Sequence, residues 1–173
     1  MEKGKFIEIF KEYLTSFLDS QGYKNFIAGS KRFGYDSETS DLDIIVYAEN
    51  NYKHDSLLSF FIENGFIRAG SSYGENVSSV WSLGNKIHIN VFNNEKEYEN
   101  LREEHLAVEK VLKKNPILIK FIKEIKLYAP IKGSFIYRSL INCFSDEEIK
   151  ISAENSEKTN KKKTISIKEF VDA

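Results

Sequence analysis

Two aspartates separated by one residue, Asp41 and Asp43, open an apolar run that continues as Ile44-Ile45-Val46-Tyr47. Alternate side chains of a β-strand share a face. Both carboxylates therefore project to one side, roughly 6 to 7 Å apart along the strand, while Leu42, Ile44 and Val46 point to the other. Carboxylates so placed repel each other unless a cation sits between them, and Mg²⁺ takes one or two carboxylates together with phosphate oxygens. Upstream, Phe26-Ile27-Ala28 reads as a short strand and Gly29-Ser30 as a turn into Lys31-Arg32-Phe33-Gly34. Gly29 lets a backbone approach a ligand closely, Ser30 offers a hydroxyl, and the amides of a following helical turn favour an anion. The chemistry open to such a set is to hold phosphate beside a divalent cation.

Gly29-Ser30, Gly34 and Ser40-Asp41-Leu42-Asp43 stand at the spacing of Gly-Ser-x-x-x-Gly followed by Ser-Asp-x-Asp. In this the chain resembles the polymerase-beta-like nucleotidyltransferase superfamily, in particular its small members with a single catalytic domain. The similarity runs from the helix before Phe26 to Phe92. The resemblance implies an α/β (α+β) fold, with a mixed, mainly antiparallel sheet, helices on one face and a C-terminal helical region. It implies transfer of a nucleoside monophosphate from a nucleoside triphosphate to a hydroxyl acceptor, with release of pyrophosphate. Asp41 and Asp43 would hold two Mg²⁺ ions about 3.5 to 4 Å apart. Gly29 and Ser30 would hold the terminal phosphates, with Ser40 in the nucleotide-binding set. Lys31 and Arg32 would neutralise phosphate charge, although a solvated loop accounts for each equally well.

The family completes its metal site with a third carboxylate on a later strand, in an apolar-acid-apolar pattern. The matching strand here is Lys86-Ile87-His88-Ile89-Asn90-Val91-Phe92, and the matching position is Asn90. An amide oxygen can ligate a metal but brings no charge and accepts no proton from an attacking hydroxyl. Asn90 is therefore read both as a weak third ligand and as a catalytic position altered from the acid. Three explanations stand open: decay to a nucleotide-binding module, an acid exchanged by design for its amide, or another group doing the work. His88, two residues earlier on the same face, is the foremost such group, as a neutral imidazole general base; the plainer account is a polar residue on the exposed side of a hairpin. Glu75 and Asp36 are weaker candidates.

Those residues need elements to position them. Phe6, Ile9, Phe10, Tyr13, Leu14, Phe17 and Leu18 recur at helical spacing, giving an amphipathic helix that ends near Gly22. Strands Tyr23 to Ala28 and Asp41 to Tyr47 flank the motif loop. A helix through Leu57 to Ile62 closes at Asn64-Gly65 and covers one face of the sheet. Phe66 to Ala69 is a short strand, and 70–76 a turn-rich loop containing Tyr73. Val77 to Leu83 and Lys86 to Phe92 form a hairpin about Gly84-Asn85, with Ile87, Ile89 and Val91 on one side and His88, Asn90 and Phe92 on the other. From Glu95 the chain turns helical, breaks before Pro116 and continues in two further helices through Tyr128 and from Phe135 to Phe144. Trp81 reads as sheet packing, His105 as a surface residue among Glu103, Glu104 and Glu109, and Cys143 as a buried thiol.

The division expected is 1–93 as catalytic core, 94–145 as helical region and 146–173 as a polar tail, with 155–164 mobile and the segment from Ile165 to Val171 able to dock. In 173 residues, Lys plus Arg (25) nearly balances Asp plus Glu (26), so no global basic field marks a nucleic-acid binder. The lone cysteine excludes an internal disulfide. No apolar run is long enough to span a bilayer and no signal peptide is evident, so a cytoplasmic protein with no membrane partner is expected. The acceptor stays open between an RNA end, a small-molecule alcohol and a protein side chain. The alternative from another class is a catalytically degenerate nucleotide-binding module that regulates a protein partner.

Overall fold

The computed structural model describes residues 3–37, 39–70, 77–84, 86–129 and 131–144. In chain order these form α1 (Lys3–Ser20), β1 (Lys24–Ala28), α2 (Gly29–Phe33), β2 (Leu42–Tyr47), α3 (Asn51–Glu63), β3 (Ile67–Ala69), β4 (Ser79–Leu83), β5 (Ile87–Phe92), α4 (Glu95–Lys114), α5 (Ile117–Tyr128) and α6 (Gly133–Phe144). The expectations for Tyr73, Glu75, Asn85, residues 155–164 and the segment from Ile165 to Val171 lie outside the described residues. The chain divides into two compact units, one drawn from Met1–Arg32 and Ser37–Tyr98, the other from Phe33–Asp36 and Glu99–Ala173.

The first unit is built on a five-stranded sheet in the order β1-β2-β5-β4-β3. Every neighbouring pair is antiparallel except β2 with β5, which runs parallel. The alternation read from the sequence sorts the two faces. Leu42, Ile44, Val46, Ile87, Ile89 and Val91 enter one apolar core with Ile7, Leu14 and Leu18 of α1 and Leu57 and Phe61 of α3. Trp81 joins the same core. Phe17 and Phe60 stack at 4.0 Å between ring centroids, joining the two helices. Fully burying an aliphatic or aromatic side chain contributes about 1.5 to 3 kcal/mol, which sets this face as the one that holds the sheet flat against its helices. Asn50 starts α3 by accepting from the Lys53 amide at 2.9 Å, satisfying one of the donors that a helix start leaves open.

The opposite face is divided. Toward one end Phe26 and Tyr47 meet Tyr98, at 5.6 and 5.7 Å between ring centroids. Toward the other end lie the polar residues described below. This α+β fold, a mixed and mainly antiparallel sheet with α1 and α3 on one face and helices following, is the expected one.

The second unit has its own core of Phe33, Tyr35, Ala107, Val108, Val111, Leu112, Ile122, Ile136, Tyr137, Leu140 and Ile141. Two expectations are corrected here. His105 is fully buried, stacks on Phe33 at 5.5 Å and places Nδ1 2.8 Å from the Leu101 carbonyl. Glu103 and Glu104, two and one residues before it, sit on other faces of the helix, whereas His105 shares its face with Val108 and Leu112, three and seven residues on, and Glu109 is itself only half-exposed. Cys143 is exposed, although Leu140 and Ile141 beside it are buried. Among the described residues no helix is long and apolar enough to cross a membrane.

Candidate functional site

β1 ends at Ala28 and passes directly into α2, so Lys31 and Arg32 lie on a short helix rather than in an irregular loop. The junction demands glycine. Gly29 has φ +72°, a left-handed conformation that costs an L-residue about 1 to 2 kcal/mol, and a Cβ there would fall 2.8 Å from Asp43 Oδ2. The missing side chain thus leaves the space in which the Asp43 carboxylate stands.

Asp41 is held at the mouth of β2 by the turn before it. The Ser40 amide donates to the Ser37 carbonyl at 3.0 Å and the Ser37 amide donates to Ser40 Oγ at 2.9 Å. On the far side the Leu42 amide donates to the Lys86 carbonyl at 2.8 Å, which locks β2 to β5 next to Asp41. Arg32 is turned back on the chain: its guanidinium donates to the Ile27 carbonyl at 3.1 Å and lies over the Phe26 ring. Ser30 and Lys31 are both half-buried.

The strand register decides which residues meet. Across the sheet, Ala28, Asp43, His88 and Ser82 form one row, and Phe26, Ile45, Asn90 and Val80 the next. His88 therefore stands beside Asp43, with its Nδ1 3.1 Å from Asp41 Oδ2 and 3.7 Å from Asp43 Oδ1. One oxygen from each aspartate and a ring nitrogen of His88 all fall within 4.8 Å of one another. Asn90 is on the same face but one row further along β5, about 7 Å from His88 at the backbone. It is 1 % exposed, and neither its Oδ1 nor its Nδ2 has a hydrogen-bond partner among the described residues. Of the residues read from the sequence, the structure thus groups Gly29, Asp41, Asp43 and His88, and leaves Asn90 in the deeper row.

The pKa of His88 is raised above its ordinary 6.5, first by hydrogen bonding to Asp43 and then by the attraction of Asp41 and Asp43, with burial opposing. The shorter nitrogen-oxygen distance is to Asp41, so a proton on Nδ1 would face both carboxylates and stand where a cation would. The donor set fits a divalent ion, with two carboxylate oxygens and an imidazole nitrogen converging and the side chains partly open to solvent, at 43, 22 and 31 % exposure for Asp41, Asp43 and His88.

Ser82 went unremarked in the sequence. It sits opposite His88 on β4, is 2 % exposed, and its Oγ has no hydrogen-bond partner among the described residues. The signal available was positional: in the hairpin read for 77–92, Ser82 falls on the polar side with His88.

No protein-family model matches the sequence, and no curated protein does. Among solved structures, the chain is similar to the crystal structure of the conserved protein GrpB from Enterococcus faecalis, at a TM-score of 0.52 and 20% sequence identity, over 89% of this chain and 92% of that one. The likeness is one of fold.

Proposed function

We propose that the protein is a metal-dependent nucleotidyltransferase, moving a nucleoside monophosphate from a nucleoside triphosphate to a hydroxyl acceptor. The observation behind this reading is the convergence of Asp41, Asp43 and His88 beside a glycine whose missing Cβ makes room for the Asp43 carboxylate. Gly29 and Ser30 would take the phosphates on the β1 side of the aspartates. Asp41 and Asp43, with His88 as the third donor, would hold divalent metal, Mg²⁺ being the ion the family resemblance implies. Such an ion supplies charge to polarise the phosphoryl oxygens and to orient the acceptor.

The chain's own residues then have defined work. Gly29 admits the carboxylate, and Asp41 and Asp43 fix where positive charge collects. Any proton on His88 Nδ1 must leave before that nitrogen can bind an ion. The acceptor oxygen forms a bond to the α-phosphorus as the bond to pyrophosphate breaks, and the acceptor's proton passes to a carboxylate of the pair. His88 cannot be base and ligand through the same nitrogen, and the place of Nδ1 beside both carboxylates, 3.1 Å from Asp41 Oδ2 and 3.7 Å from Asp43 Oδ1, favours the ligand role.

A second reading, a nucleotide-binding regulatory module without catalysis, is favoured by one feature: the metal-facing group has two carboxylates and an imidazole where the family pattern has three acids. One experiment separates the two. The protein is incubated with each labelled nucleoside triphosphate, Mg²⁺ or Mn²⁺, and cell lysate, and label is followed into RNA, protein and small metabolites. Transfer that disappears in Asp41→Ala and Asp43→Ala supports the enzyme. Metal-dependent nucleotide binding with no transfer to any fraction supports the module, and no binding at all defeats both.

A further inference from the structure

His88 is the cluster's only nitrogen donor, and the carboxylates determine which edge of the ring faces the cation position, because Nδ1 is the atom near both. An imidazole that holds a cation through one nitrogen normally donates its other N–H to an oxygen, which fixes the tautomer and the ring plane. Among the described residues no group accepts from Nε2 of His88. Its cross-strand neighbour is Ser82. Side chains directly opposite on antiparallel strands have Cβ atoms about 4.5 to 5.5 Å apart, close enough for a hydroxyl and an imidazole to meet after a change of rotamer.

Ser82 is also a residue the fold leaves unused. Its buried hydroxyl has no partner among the described residues, which is unfavourable, and a buried group left so in a native structure calls for an explanation such as a ligand-bound state that satisfies it. We propose that Ser82 is a positioning residue of the cation site: its Oγ accepts from Nε2–H of His88 when Nδ1 binds a divalent cation, holding the ring in the binding tautomer. The inference rests on reading Asp41, Asp43 and His88 as a cation site. Asn90 is the rival for this role, being on the same face and also without a hydrogen-bond partner among the described residues, but it sits a row deeper, opposite Ile45 and Val80 rather than His88.

The test uses the full chain and Zn²⁺, a diamagnetic ion that suits imidazole. Calorimetric titration measures affinity, and ¹⁵N NMR of histidine-labelled protein reads the His88 tautomer and the exchange of its Nε2 proton. The expected result is that Ser82→Ala lowers Zn²⁺ affinity about 10- to 100-fold, the range seen for partners of metal-bound histidines. The Nε2 proton should exchange faster, and Ser82→Thr, which keeps the hydroxyl, should restore both. A merely structural serine would lower the melting temperature of the metal-free protein without this rescue. Zn²⁺ affinity of Ser82→Ala within twofold of wild type would overturn the inference while leaving the cation site standing. So would a tautomer change produced by Asn90→Leu and not by Ser82→Ala. A wild-type protein that binds no Zn²⁺ would overturn the inference and the reading beneath it together.

Discussion

At the scale of single residues the site depends on two groups that tolerate little change. Gly29→Ala would force an L-residue into φ +72° and drive its Cβ to within 2.8 Å of Asp43 Oδ2. The backbone strain alone is about 1 to 2 kcal/mol, and relief requires Asp43 to move from the cluster. Chemical denaturation should show at least that loss, and metal affinity should fall with it, whereas a glycine kept only for its turn would show the stability change alone. His88 gives a pH signature. Its folded pKa lies above the ordinary 6.5 of the unfolded chain, so the protonated ring stabilises the metal-free fold fully below that value. The contribution disappears as pH rises through the folded pKa. The melting temperature of His88→Asn should therefore lie furthest below wild type at acid pH and approach it above the folded pKa. A gap that stays constant or widens with pH would contradict the placement of His88 beside both carboxylates.

At the scale of elements, the pairing of β2 with β5 is the decisive fact, and it is where the sequence stops being informative. Alternation told which side chains share a face: Leu42, Ile44 and Val46 go to the core and Asp43 to the other side, and likewise Ile89 to the core and His88 to the other side. It did not tell which residue of β5 stands opposite Asp43, because every shift by two residues preserves the alternation. A family pattern puts Asn90 with the aspartates; the register sets His88 beside Asp43 and Asn90 opposite Ile45. The motif spacing of Gly29 and the aspartates was legible for a different reason, since it reflects one local junction and one strand start. The helical setting of His105 is legible too, in the three- and seven-residue spacing to Val108 and Leu112, although the acids beside it in the chain mask that spacing. Register leads to a prediction for Asn90→Asp. A carboxyl at a position 1 % exposed, with no partner among the described residues, would be pushed above the usual carboxylate pKa of about 3.9. The variant should lose stability progressively as pH rises from the unfolded to the folded pKa, with little gain in metal affinity. Tighter metal binding with unchanged stability would instead place Asn90 among the ligands.

At the scale of the whole molecule, near balance of 25 basic against 26 acidic residues leaves little long-range attraction for a polyanion, so recognition of any such partner has to be local. The carboxylates of Asp41 and Asp43 are a local source of unfavourable energy in the absence of a cation, and the sheet that holds them belongs to the first unit. A bound cation should therefore stabilise that unit, and the chain supplies a reporter for it: its single tryptophan, Trp81, is buried in that unit's core. At a cation concentration about 100 times the dissociation constant the linkage is about 2.7 kcal/mol. For a chain of this size that corresponds to a rise of roughly 5 to 11 °C in the melting temperature. Melting followed by Trp81 fluorescence should show this rise with Mn²⁺ or Mg²⁺ for wild type and none for the double variant Asp41→Ala, Asp43→Ala. The double variant should itself melt no lower than wild type in chelator at a pH where His88 is neutral, since it removes a repelling pair. If the cation raised both proteins equally, it would be acting elsewhere on the chain, and the cluster of two aspartates and a histidine would have no claim to it.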